Sequence, residues 1–135
     1  ERTGTYVLCF DIVGLMRIND EISREAGDKV ILESLKRINA AAGEDMPVLR
    51  IGGDEFVMVT GLDDVEKVTK IAKAVMAKNG DETAYKGGTV PVSIRSGAVM
   101  IRKPLKYSML CHDFDEVISF ARNDGEVHFA KAEQK

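Results

Sequence analysis

The sequence predicts an α/β sandwich with a central mixed sheet of about five strands flanked by helices. Two observations predict it. Apolar, β-branched runs alternate with segments of helical periodicity, and in mid-chain two short runs follow each other across a four-residue turn at hairpin spacing. Helical crossovers combined with one hairpin require both parallel and antiparallel neighbours in one sheet. "TYVLCFDI" (5–12) is rich in β-branched and aromatic residues, as a buried strand ending near Asp11 would be. A short helix is expected through "GLMRIND". "AGDKVILESLKRINAAAG" places Ile31, Leu35, Ile38 and Ala42 on one helical face, with Gly43 as the stop.

"MPVLRI" and "FVMVT" are the two arms of the hairpin, joined across Gly52 to Glu55. "LDDVEKVTKIAKAVMAKNG" opens with Asp63 and Glu66 at capping-box spacing. It repeats Val65, Val68, Ile71, Ala72, Val75 and Met76 as an apolar face and stops at Asn79-Gly80. A polar loop should lead to "TVPVSIRSGAVMI", one long strand or a strand with a bulge near Gly97. A last helix around "DFDEVISFAR" and a closing strand "EVHFA" complete the order. In that order Asp11 neighbours the hairpin tip, so carboxylates far apart in sequence can meet.

With 135 residues, 44% of them apolar and 30% charged, residues 1–135 are expected to form a single domain with a proper core. A net charge of −3 and no basic run argue against a nucleic-acid surface, though local cations can still hold a small phosphate ligand. Cys9 and Cys111 form neither a disulfide framework nor a metal-ligand spacing, and Cys9 reads as a small buried hydrophobe. His112 and His128 have no ligand spacing with them and are expected at the surface or in loops. Reduced thiols suit a cytoplasmic domain. No stretch has the length and apolarity of a membrane span or a signal peptide, so this fragment is expected to make no membrane contact. The chain opens on Glu1 rather than Met and is expected to be a piece of a longer polypeptide, preceded by a sensory or membrane-anchoring segment.

The stretch "RIGGDEFVMV" (50–59) admits two readings. One is a solvated acidic turn in which glycine supplies positive φ. The other is a turn that carries chemistry. Asp54 and Glu55 are adjacent and so project differently, addressing two metals, or a metal and a reacting hydroxyl. Gly52 and Gly53 lack a Cβ, so phosphates can approach their backbone. Asp11 supplies a third carboxylate. Such a set suits Mg²⁺, a hard cation that takes oxygen ligands and substrate phosphates and supports in-line displacement at phosphorus.

Residues Gly52, Gly53, Asp54, Glu55 and Phe56 spell the signature of the GGDEF-domain family, the diguanylate cyclases, and Arg50 two residues ahead also matches that family's usual residue. Upstream, "DIVGLMRINDEISREAGD" resembles the family's D-x-D-x-F-K-x-I-N-D and G-H-x-x-G-D, with Asp11, Ile18, Asn19, Asp20, Gly27 and Asp28 in register without a gap. "VSIRSGAVMI" resembles its V-S-I-G-V-A strand, so the likeness spans nearly the whole chain.

The resemblance implies a ferredoxin-like core of the nucleotidyl-cyclase type. It implies that Asp11, the carbonyl of Ile12 and Asp54 bind Mg²⁺, or Mn²⁺ in its place. Glu55 would assist at a second metal position, and Asp54 would also take the proton of the attacking hydroxyl. Asn19 and Asp28 would read guanine, Gly52 and Gly53 would carry the triphosphate, and Arg122 would grip it. Two such domains, each holding one GTP, would face each other and yield cyclic di-GMP and pyrophosphate.

Departures cluster around phosphate. Val13 replaces the second Asp of D-x-D, Leu15-Met16 replaces Phe-Lys, and Ser23-Arg24 replaces Gly-His. In the C-terminal A-K-x-x-G-R-N, Arg122 stands for Lys, Gly125 for Gly and Glu126 for Arg. Arg24, Arg95 and Arg102 are the cations available to compensate. The product-inhibition motif R-x-x-D would fall on Gly43 and Met46, which lack its charges. Apart from the resemblance, Asn19 and Asp28 also suit helix ends, where both residue types cap well. Three functions therefore stand: an active cyclase, a degenerate GTP-binding sensor, and a dimerisation or interaction module that binds no nucleotide.

Overall fold

The computed structural model describes residues 4–101 and 127–129. The element order is β1 (Thr5–Ile12), α1 (Leu15–Glu21), α2 (Arg24–Ala41), β2 (Val48–Arg50), β3 (Glu55–Val59), α3 (Val65–Met76), β4 (Glu82–Tyr85), β5 (Gly88–Pro91), β6 (Ile94–Ile101) and β7 (Val127–Phe129). Five strands form the main sheet in the order β2-β3-β1-β6-β7. All neighbours are antiparallel except β6 and β7, so the sheet is mixed as expected. The expected helix around "DFDEVISFAR", Cys111, His112, Arg122 and Glu126 lie outside the described residues.

β1 is central and apolar on both faces, which is why its sequence is a continuous apolar run rather than an alternation. Tyr6, Leu8, Phe10 and Ile12 join Phe56, Met58, Ala26, Val30, Ile38, Val68, Ala72 and Val75 in the larger cluster. Val7 and Cys9 point the other way, onto Val57 and Val99. Cys9 is fully buried, as its setting suggested.

α2 and α3 begin at side-chain caps, whereas α1 follows Gly14, which caps it with no side chain. Ser23 Oγ accepts from the Ala26 N–H at 3.0 Å, so α2 starts before "AGD". Its buried face is Ala26, Val30 and Ile38, together with Ser34 and Arg37; Ile31, Leu35 and Ala42 pack at the margin. Gly43 is not a left-handed stop, since its φ is not positive; Ala42 leaves the helix in extended conformation. α3 is capped by Asp64 rather than Asp63: its carboxylate accepts from Glu66 N at 2.8 Å and Lys67 N at 3.3 Å. That puts Val65 in the first turn, exposed, while Val68, Ala72, Val75 and Met76 face the core.

The segment expected to be one polar loop and one long strand is instead two units. β4 and β5 form their own hairpin through Lys86-Gly87, and β6 then enters the main sheet. β6 pairs with β1 without interruption from Thr5↔Ile101 to Ile12↔Ile94, so there is no bulge at Gly97, which sits opposite Cys9. The buried Arg37 guanidinium fixes the junction by donating to the carbonyls of Lys78, Val92 and Asp81 while pairing with Glu33. Asn79 serves as a substitute strand, bonding both the N–H and the carbonyl of Ile94. These ties set the start of β6, and with it the position of Arg95.

Candidate functional site

The site forms where β1 ends beside the β2–β3 turn. The Ile12 N–H donates to the Asp54 carbonyl at 2.9 Å, and the Ile51 N–H donates to the Glu55 carbonyl at 2.9 Å, closing the turn. Arg50 clamps it from outside: Nε donates to the Gly52 carbonyl at 3.1 Å and Nη2 to the Gly53 carbonyl at 2.8 Å. Neither glycine needs positive φ. Gly52 keeps room for Glu55, because a Cβ there would lie 3.0 Å from Glu55 Oε1 and push that carboxylate aside. Gly53 faces open space, with nothing within 4 Å of a would-be Cβ, and leaves the turn's backbone accessible.

Asp11 pairs across the sheet with Glu55 on one side and Arg95 on the other. Directly opposed residues put their side chains on one face a few ångströms apart. The carboxylates of Asp11, Asp54 and Glu55 each place an oxygen within 4.8 Å of the others. Asp11 is the buried member, at 4% exposure; Asp54 and Glu55 are half-buried. Burial pushes the Asp11 carboxyl above its ordinary range, the Arg95 guanidinium pulls it back, and Asp54 adds repulsion. Arg95 donates to Asp11 Oδ2 through both Nε, at 3.0 Å, and Nη2. Arg95, available to compensate for missing phosphate cations, is thus committed to a carboxylate. Arg24 opens α2 at the surface, and Arg102 lies outside the described residues.

The expected nucleotide residues occupy a second region, between α1 and α2. Asn19 Oδ1 is buried with no hydrogen-bond partner among the described residues. It lies against Gly27, where a Cβ would come within 1.7 Å of it. Asp28 is the next residue of α2 and is exposed. Met16 is 77% exposed, so the position carrying Lys in the family motif lies at the surface. Val13 is half-buried and uses its N–H on the Ser93 carbonyl, at 2.9 Å. A cavity of about 290 Å³ between α1 and β5 touches Val13, Arg17, Glu21 and Val90, and among the described residues none of those expected at the site lines it.

Sequence reasoning placed Asp11 beside the hairpin tip and did not find Arg95 on it. The signal was present. Arg95 is the one cation within "VSIRSGAVMI", and pairing that run antiparallel with "TYVLCFDI" to the last residue opposes it to Asp11. The Arg50 clamp has no local signal in the sequence beyond that residue's place two positions ahead of the signature.

The sequence profile described as "Diguanylate cyclase, GGDEF domain" matches residues 1–128. The cyclic di-GMP phosphodiesterase NbdA of Pseudomonas aeruginosa is 26% identical over 96% of this chain, and the diguanylate cyclase DosC of Escherichia coli is 26% identical over 92%. The chain spans only 16% and 28% of their lengths. Among solved structures, the GGDEF domain of YfiN from Pseudomonas aeruginosa superposes with a TM-score of 0.82 at 26% identity, covering 98% of this chain and 83% of that one.

Proposed function

Because this chain belongs to the diguanylate cyclase GGDEF-domain family, we propose that it binds GTP with a divalent cation and condenses two GTP into cyclic di-GMP. The observation that carries this reading is the convergence of Asp11, Asp54 and Glu55 at the glycine turn. An all-oxygen, all-carboxylate donor set fits a hard cation, Mg²⁺ or Mn²⁺. When bound, the cation would supply charge neutralisation on the phosphates and polarisation of the α-phosphoryl group. Asp11, Asp54 and the Ile12 carbonyl would hold it, with Glu55 assisting.

The chain's own groups supply the rest. The open backbone at Gly52 and Gly53 takes the triphosphate, and Arg122 grips it. The Asp28 carboxylate accepts from N1–H and the N2 amino group of guanine, a donor pair adenine lacks, and Asn19 reads the same base. Asp54 accepts the proton of the attacking 3′-hydroxyl as its oxygen bonds to the α-phosphorus and pyrophosphate leaves. Two such bonds close the cyclic product, so two GTP-loaded domains must face each other. In this reading residues 1–135 are one domain of a longer signalling protein. A sensory segment upstream would bring two copies together, and the domain would act in the cytoplasm.

A second reading, a GTP-binding sensor without turnover, is favoured by Arg95 on Asp11 and by Val13 in place of a second acidic residue. The experiment that tests the proposal fuses the chain to a dimerising coiled coil and separates the products of GTP and Mg²⁺ by chromatography. Cyclic di-GMP with pyrophosphate supports the cyclase. GTP bound but returned unchanged selects the sensor, and no binding at all leaves an interaction module.

A further inference from the structure

Glu55, Asp11 and Arg95 stand side by side on three adjacent strands, in a row of two anions and one cation across β3, β1 and β6. The Asp11 side chain is 5% exposed and that of Arg95 32%. Both Arg95 donors converge on a single oxygen, Asp11 Oδ2. A guanidinium is always charged and presents its donors in a rigid fork, so it neutralises a buried carboxylate without any ion from solution. The same carboxylate is the most buried of the three that converge at the turn. A cation bound there would meet Arg95 both as a rival for Asp11 and as a like charge a few ångströms away.

We propose that Arg95 is a built-in competitor of the divalent cation: it occupies Asp11 Oδ2 in the metal-free domain and must release that oxygen before it can serve as a ligand. The inference rests on Asp11, Asp54 and Glu55 being the cation ligands. It makes Arg95 a positioning residue whose side chain sets how readily this copy of the domain loads metal. The Asp11 pair must open at the end of β1, where the turn's backbone is exposed at Gly53. Arg95, one third exposed, can then turn outward without leaving its strand.

The test is Mn²⁺ binding to the nucleotide-free chain, followed by loss of the electron paramagnetic resonance signal of free Mn²⁺. Wild type, Arg95→Gln, Arg95→Lys and Asp54→Ala are compared. Removing a unit charge from beside a dication's ligand should tighten binding in Arg95→Gln by about tenfold or more, even after solvent screening. Arg95→Lys keeps the charge but loses the fork on Oδ2, so it should bind more tightly than wild type and less tightly than Arg95→Gln. It also serves as the deciding variant if Arg95→Gln does not fold. Equal or weaker binding in the Arg95 variants, with binding lost in Asp54→Ala, would overturn the proposal while leaving the cation site standing. No Mn²⁺ binding in wild type or in either Arg95 variant would overturn both.

Discussion

Replacing Gly27 by Ala should weaken guanine recognition about tenfold while leaving the fold almost untouched. The new Cβ would lie 1.7 Å from Asn19 Oδ1 and 2.8 Å from its Cγ, far inside contact distance, so the Asn19 side chain must swing away. Three effects set the stability change. Alanine in place of a helical glycine contributes up to about 1 kcal/mol. Forcing Asn19 from its rotamer costs about 0.5–1.5 kcal/mol. No hydrogen bond at Oδ1 is lost, because that buried oxygen has no partner among the described residues, and moving it toward water relieves a desolvated acceptor. The net change should stay within about 1 kcal/mol, or roughly 4 °C in melting temperature for a domain of this size. If Asn19 reads guanine, losing its hydrogen bond costs about 1.5 kcal/mol, a factor of roughly ten in GTP affinity with no matching loss for ATP. Melting curves of wild type and Gly27→Ala, alone and with Mg²⁺-GTP or Mg²⁺-ATP, measure both quantities. An unchanged preference for GTP would remove Asn19 from the base site. A ligand-free variant melting ten or more degrees lower would show that Asn19 is locked where it is and that the cost worked out above is wrong.

Asp54→Ala should abolish metal-dependent turnover without lowering the melting temperature in metal-free buffer, since a half-buried turn carboxylate that repels Asp11 is removed; a clear drop would make Asp54 structural. Cyclic di-GMP should not bind tightly at the position of the family's inhibition motif, because Gly43 has no side chain and its N–H is covered by Met46 Sδ at 3.2 Å. Equilibrium dialysis showing tight binding that survives Asp54→Ala would contradict this. Burial holds the Asp11 carboxyl above its ordinary 3.8 despite Arg95, so the folded state binds this proton more tightly than the unfolded chain. That contribution is fully present below 3.8 and lost as pH rises through the raised value. In metal-free buffer Asp11→Asn should therefore lose less melting temperature than wild type as pH climbs from 3.8, and equal slopes would refute it.

The sheet was legible because β1 and β3 are buried on both faces and announce themselves as uninterrupted apolar runs, bounded by the glycine turn. The meeting of Asp11 with Asp54 and Glu55 followed from that order alone. What escaped depended on competition between near-equivalent local signals. Asp63 and Asp64 are both competent caps with local signals of equal strength, and the structure uses Asp64. Ser23 is an equally ordinary N-cap, standing where the family motif has a glycine. The β4–β5 hairpin was invisible because "ETAY" is half-exposed and carries little apolar signal; Val90 and Tyr85 anchor the hairpin on the core, and Arg37 and Asn79 tie down the segments on either side of it. The Arg95–Asp11 pair escaped because it joins residues 84 positions apart, and only the register of β6 on β1 opposes them.

On the function proposed, three carboxylates and a glycine turn make a site for a divalent cation with GTP. The most direct measurement is the melting temperature of the chain in saturating GTP with Mg²⁺, against the same nucleotide in EDTA. A ligand that binds only the native state must stabilise it, by about 2.7 kcal/mol at a hundredfold excess over its Kd. Mg²⁺ with GTP should raise the melting temperature by several degrees, most of the rise being lost in EDTA and in Asp54→Ala. The same rise in EDTA, or a rise undiminished in Asp54→Ala, would contradict this.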